Sequence, residues 1–215
     1  MEESKYLMRI RVLEPLPWRW SLIVGDFLQN LRAALDHLIW QLVQVNGEVP
    51  DRGNAFPIFD KALSGRSQVF WDRSVRGLSA AALQIIESCQ PHLGGDRPHT
   101  LRALRELSNE DKHRILIPAY SAIAEVDQPV FDIVGLRDVG PLERGKVFAG
   151  AALKDGDVVL EAPVQVTGPN PEVKFKGEFP FDVAFGDARV GLKGLENIRT
   201  SVVRIIELAA GTCHS

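Results

Sequence analysis

The stretch from Leu28 to Leu42 leaves this chain little conformational choice. Leu28, Leu31, Leu35, Leu38 and Leu42 recur at spacings of three and four. At about 100° per residue they form one apolar stripe along a helix. Pro17 suits a first turn and Asn46-Gly47 suits an end, so the pattern predicts a helix from about Trp18 to Val45. The other side of that helix is unusual. Asp26, Asn30, Ala33, His37 and Trp40 fall on one line away from the leucines, with Arg32 and Asp36 beside it as an i,i+4 pair. A plain solvated face would carry Lys and Glu, whereas these side chains hydrogen-bond at fixed geometry. The second face is therefore expected to pack too, against another element or a second subunit.

A second helix is expected after Ser79, whose hydroxyl suits an N-cap, through Ala82, Leu83, Ile86 and Cys89 to Gln90-Pro91. Gly94 to Pro98 reads as a turn, and Leu101, Leu104 and Leu107 begin a third helix. Ser108 and Asp111 stand in the positions of a capping box, which predicts a fresh helix start there. Between the first two helices, Gly47 to Arg76 reads as loop, with Pro50, Gly53, Pro57 and Gly65. Phe56-Pro57-Ile58-Phe59 and Phe70-Trp71 inside it either clamp the loop to the core or form a base-stacking platform.

Strand patterns flank this helical region. Tyr6, Met8, Ile10 and Val12 alternate with Leu7, Arg9, Arg11 and Leu13, giving a strand with one apolar face that is expected to join a later sheet. From Ala119 to about Gly186 the pattern is β, with four to six strands expected. Runs stand at Val130–Val134, Lys146–Ala149, Val158–Leu160, Val164–Val166, Val173–Lys176 and Phe179–Phe185, and Lys154–Asp157 has the form of a hairpin turn. Leu195, Ile198, Val202, Ile205 and Ala209 then stripe a last helix from Leu192 to Ala210, stopped at Gly211. Helices and strands are segregated along the chain, which makes the expected class α+β: an antiparallel helical unit with a long first helix, a small antiparallel β block and a C-terminal helix. The expected division is 1–118, strand and helices, and 119–215, β-rich with the last helix, packed as one compact unit.

The 215 residues carry a net charge of -3 with a pI near 6.0. That balance argues against a broad nucleic-acid surface and gives no DNA signature, but it allows a small cationic site. Cys89 and Cys213 are far apart with no CxxC pattern, as expected of reduced cytoplasmic thiols. The charged start Met1–Lys5 has no apolar core, so no signal peptide is expected. No apolar run is long enough to span a bilayer, so no membrane partner is expected either.

Arg32-Ala33-Ala34-Leu35-Asp36-His37 has the form Arg, four residues, His. It resembles the signature of the HEPN superfamily, helical bundles that often act as metal-independent ribonucleases. The resemblance covers these six residues and extends over the helical region to Ile117. It implies a homodimer in which Arg32 and His37 of two copies meet over RNA. His37 would transfer a proton at the 2′-hydroxyl and Arg32 would bind the scissile phosphate, leaving a cyclic phosphate with no cofactor. An imidazole titrates near neutrality and a guanidinium matches phosphate oxygens, so the residue types suit those roles. A toxin or defence setting in a bacterial cytoplasm goes with this resemblance.

Asp26, Asn30 and Asp36 would support that site from the same helix. Asn109, Asp111, Lys112, His113 and Arg114 form a second dense polar segment, and an antiparallel bundle would bring Asp111, His113 and Arg114 to the first. Together the Gly25–His37 and Asn109–Arg114 stretches resemble an uncharacterised bacterial family. Asp36, His37, Asp111 and His113 also include metal-ligand types, without tight ligand spacing. His92 reads as a solvated turn residue. The rival to catalysis is a non-catalytic interaction module. There Arg32–Asp36 is an intrahelical ion pair, Ser108–Asp111 a cap, and the β region the surface for a protein partner.

Overall fold

The computed structural model describes residues 4–94, 96–113, 116–122, 130–134, 136–138, 152–176, 181–186 and 190–214. The chain is α+β, with a long first helix, small antiparallel sheets and a C-terminal helix. It divides into two compact units, Met1–Trp18 with Pro118–Phe185, and Arg19–Ile117 with Gly186–Ser215. The first strand thus groups with the β-rich segment and the last helix with the other helices.

The helical unit contains α1 (Arg19–Val45), α2 (Arg66–Ser74), α3 (Ala80–Ser88), α4 (Asp96–His113) and α5 (Leu192–Ala210). Leu28, Leu35, Leu38 and Leu42 of the α1 stripe are buried, joined by Ile39 and Val43. The α5 stripe Leu195, Ile198, Val202, Ile205 and Ala209 is buried as the spacing requires, and α5 packs on α1, α3 and α4. Leu101, Leu104 and Leu107 bring α4 into the same core. Burying each such side chain contributes roughly 1.5–3 kcal/mol, so the periodic stripes account for how these helices gather. Ser79 caps α3 as expected, its side chain accepting from the Ala82 amide at 3.2 Å.

Three expectations here are corrected. The segment read as loop contains α2, whose one buried apolar side chain is Trp71, while Val69 and Phe70 are exposed. One buried apolar residue in a nine-residue helix makes no stripe, which hid the helix. No helix starts at Ser108, because α4 runs unbroken through it. The Ser108 hydroxyl donates back to the Leu104 carbonyl, the bond that lets a serine sit buried inside a helix. Finally, α4 begins at Asp96, within the expected turn. Pro98 falls in its first turn, where the missing N–H costs nothing.

In the β unit, β1 (Ser4–Arg9) is followed by β2 (Pro118–Ala122), β3 (Val130–Val134), β4 (Leu136–Asp138), β5 (Ala152–Leu153), β6 (Val158–Val166), β7 (Glu172–Lys176) and β8 (Phe181–Phe185). A further short strand, β9 (Val190–Gly191), precedes α5. Seven short strands, β2 to β8, are described where four to six were expected. The strand from Tyr6 does join the sheet: β1 pairs with β6, Tyr6 opposite Ala162 and Met8 opposite Leu160. Tyr6, Met8, Ile10 and Val12 are half-buried while Leu7, Arg9 and Arg11 are exposed. The two runs expected at Val158 and Val164 are one strand continuing through Pro163, which sits opposite Lys5. On its other edge β6 pairs with β4, Asp138 opposite Val164 and Leu136 opposite Val166. β2 lies between β5 and β8, and β3 pairs with β7.

Lys154–Asp157 is a turn, with Gly156 at φ 84° and the Asp157 amide donating to the Lys154 carbonyl at 3.1 Å. It is not a hairpin, since β5 and β6 on either side of it pair with other strands. Its groups bind the end of β1 instead, through Ile10 amide to Asp157 carbonyl and Gly156 amide to Ile10 carbonyl, both 2.9 Å. The expected run Lys146–Ala149 and the residues Phe179 and Pro180 lie outside the described residues. Among the described residues no helix is long and apolar enough to cross a membrane.

Truncating the stripe tests this account. Leu35, fully buried, should cost about 2–5 kcal/mol as Leu35→Ala. Ala33→Ser, on the exposed side, should stay within about 0.5 kcal/mol. Urea unfolding followed by circular dichroism reads both, and equal shifts would refute the assignment of the buried face.

Candidate functional site

The segment Asn54–Asp60 follows α1 and is in neither helix nor strand, yet Asn54, Phe56, Pro57 and Ile58 are buried. Buried backbone needs hydrogen-bond partners, and here side chains supply them. From α1, the Trp40 indole donates to the Asn54 carbonyl at 3.2 Å. Asp36 Oδ1 accepts from the Phe56 amide at 2.8 Å, and Arg32 Nη2 donates to the Phe56 carbonyl and to Asp36 Oδ1 at 2.9 Å. The fully buried Gln90 donates to the Pro57 carbonyl at 2.9 Å and accepts from the Phe59 amide at 3.0 Å. From α4, Arg105 reaches the Ile58 carbonyl, and both Arg102 and Arg105 pair with Asp60. His92, in the short 3-10 turn Pro91–Leu93, lies 3.3 Å from the Phe59 carbonyl and so holds the same loop, correcting the solvated reading. For Arg32, Asp36 and Trp40, the partner that the second face of α1 required is therefore this loop.

Against the clamped loop lies a cleft of about 440 Å³. Arg32 reaches it from α1, Arg105, Asn109 and Lys112 from α4, and Phe56, Phe59 and Phe70 form its apolar wall. Arg105, Asn109 and Lys112 stand at i, i+4 and i+7, which is one face of a helix. Lys112 is exposed and makes no ion pair among the described residues. Among the described residues no carboxylate lines the cleft; Asp36 and Asp60 hold Arg32 and Arg105 from outside its lining. Phe70 is 63% exposed, so its ring is open to whatever enters. Three cations and an open aromatic ring suit a ligand that is anionic and planar in part.

The two polar segments singled out in the sequence meet beside this cleft. Gln29 donates to the Ser108 carbonyl at 3.1 Å and to Asp111 Oδ2 at 3.3 Å. One turn earlier, a Cβ on Gly25 would run into the Asp111 carboxylate. That explains a glycine inside a long helix, where it costs roughly 1 kcal/mol relative to alanine. Asp111 thus works in the α1–α4 contact. Asp26, Asn30 and His37 are exposed and make no hydrogen bond among the described residues. His37 stands five positions on from Arg32, about 140° around the helix, so one chain does not gather the two on one ligand. His113 is exposed, and Arg114 lies outside the described residues. Among the described residues no three His, Cys, Asp or Glu side chains gather as a metal site.

Sequence reasoning missed Arg105 and undervalued Lys112 and Phe70 as site residues. The signal was present: reading Leu101, Leu104 and Leu107 as part of one long helix puts Arg105, Asn109 and Lys112 together on another face. Placing a helix start at Ser108 broke that spacing.

Fold and site together define an α+β protein with a cationic, phenylalanine-walled cleft in its helical unit. Comparison with protein-family models, with curated proteins and with solved structures finds no match for the chain.

The clamp makes its own prediction. Gln90→Leu keeps the volume but strands the Phe59 amide and the Pro57 carbonyl, and should cost about 1–3 kcal/mol. It should also speed proteolysis between Phe56 and Asp60 under native conditions. An unchanged urea midpoint with unchanged cleavage would show that Gln90 does not hold the loop.

Proposed function

We propose that this is a HEPN-like RNA-binding protein that grips a phosphate and a neighbouring unpaired base in the Arg32–Arg105–Lys112 cleft. The observation that carries the reading is the lining itself: three cations, no carboxylate among the described residues, and Phe70 exposed beside them. Cations position a phosphate, and an open aromatic face stacks a base without demanding one sequence. The small size of the cleft fits a chain whose net charge is -3, since one local site needs no basic surface around it. The reading sets the protein in the cytoplasm and leaves the β unit without a role in RNA binding.

Lys112→Ala is the cleanest test, because Lys112 is exposed and unpaired among the described residues. It should weaken binding of a single-stranded RNA about tenfold and lower the slope of log affinity against log salt by about 1. Fluorescence anisotropy at several salt concentrations measures both. Absence of RNA binding by the unaltered protein would favour the non-catalytic interaction module.

Cleavage is the stronger form of the same proposal and requires a homodimer. Each chain's own imidazole stands on another side of α1, so the partner's His37 has to approach the phosphate held by Arg32. His37→Ala should then abolish cleavage while RNA affinity stays within about twofold. Mixing His37→Ala with Lys112→Ala protein should restore part of the activity, because one site in a mixed dimer keeps both groups. Cleavage that survives His37→Ala unchanged would remove His37 from the chemistry.

A further inference from the structure

We infer that the cleft selects a phosphorylated RNA end, a terminal phosphomonoester with its first base against Phe70, over an internal stretch of the strand. This rests on the RNA-binding reading and sharpens it. The first support is charge. An internal phosphodiester carries one negative charge, whereas a phosphomonoester carries about 1.5 to 2 near pH 7 and three acceptor oxygens. Arg32, Arg105 and Lys112 line one cleft with no carboxylate among its described lining residues, a set matched to the more highly charged group. The second support is size. At about 440 Å³ the cleft lies in the range of roughly 300–1,000 Å³ typical of small-molecule sites. That holds one nucleotide and is far too small for a duplex.

The third support is preorganisation. Arg32 is fixed by Asp36 and the Phe56 carbonyl, and Arg105 by Asp60 and the Ile58 carbonyl. Each keeps further N–H donors beyond these bonds, since a guanidinium carries five. Their positions are set before a ligand arrives, so little side-chain freedom is lost on binding. Lys112 completes the set as a movable point charge. Asn109, exposed at the same cleft, offers an amide donor and acceptor to a base edge next to the phosphate.

The test uses the full chain and one ten-nucleotide RNA in three forms: 5′-phosphorylated, 3′-phosphorylated, and with hydroxyls at both ends. Anisotropy titrations near pH 7.5 should show one phosphorylated form binding at least tenfold tighter than the hydroxyl form, which also identifies the end. Lys112→Ala should remove most of that preference, and Phe70→Ala should weaken the preferred form about tenfold. Equal affinities for all three forms would overturn end selection while leaving RNA binding standing. Failure of every form to bind would overturn both.

Discussion

The peptide groups of Asn54–Asp60 place a demand that the helical unit is arranged to meet. The segment is in neither helix nor strand and is partly buried, and an unpaired buried amide or carbonyl costs roughly 1–3 kcal/mol. Arg32, Asp36, Trp40, Gln90, His92 and Arg105 answer it group by group. These side chains come from α1, α4 and the turn after α3, so the loop ties those elements together as well as being held by them. The Arg32–Asp36 pair shows the logic. On an open helix it would contribute a few tenths of a kcal/mol. Here the carboxylate takes the Phe56 amide while the guanidinium reaches the Phe56 carbonyl, and two side chains do what a neighbouring strand would do elsewhere.

The same bonds create the electrostatic character of the cleft. Asp36 and Asp60 engage Arg32 and Arg105 without lining the cavity, so neither carboxylate opposes an incoming anion from within it. Two arginines share Asp60, which leaves an excess of positive charge on that side of α4. A chain of net charge -3 can therefore present a cationic site, because potential depends on where charges stand and not on their total. Structural and ligand-facing roles fall on the same guanidiniums, and that coupling makes Lys112 the informative residue. It lines the cleft without holding the loop.

Long, uninterrupted periods were readable from the sequence alone. Four of the five stripe leucines of α1, all but the half-buried Leu31, and the stripe of α5 emerge as buried, and the alternation from Tyr6 to Val12 emerges as half-buried against exposed, because each pattern repeats several times. Failures came where a local signal outvoted context. Ser108 and Asp111 have capping-box spacing, but α4 passes through them because Leu104 and Leu107 are buried on the turn before. Lys154–Asp157 has hairpin composition, yet composition cannot say which strands a turn's neighbours will pair with. The clamp on Asn54–Asp60 was out of reach for a different reason. Its bonds join residues 14 to 47 positions apart, and no spacing rule connects positions that meet only after the helices pack.

The angular separation of Arg32 and His37 sharpens what the Arg-four-His spacing can mean here. Residues five apart on a helix point about 140° from each other, so the spacing by itself pulls the pair apart within one chain. Arg32 is turned to Phe56 and the cleft while His37 is exposed. Cooperation between them therefore requires a second surface. The helix-face spacing of Arg105, Asn109 and Lys112 needs no such partner, since those positions already share one side of α4 and one cavity. The proposed binding in the cleft thus needs only a single chain, whereas the proposed catalysis through His37 needs an assembly. The two need not rise or fall together. The proposed grip on a phosphate by three cations stands with or without an imidazole brought to it from outside.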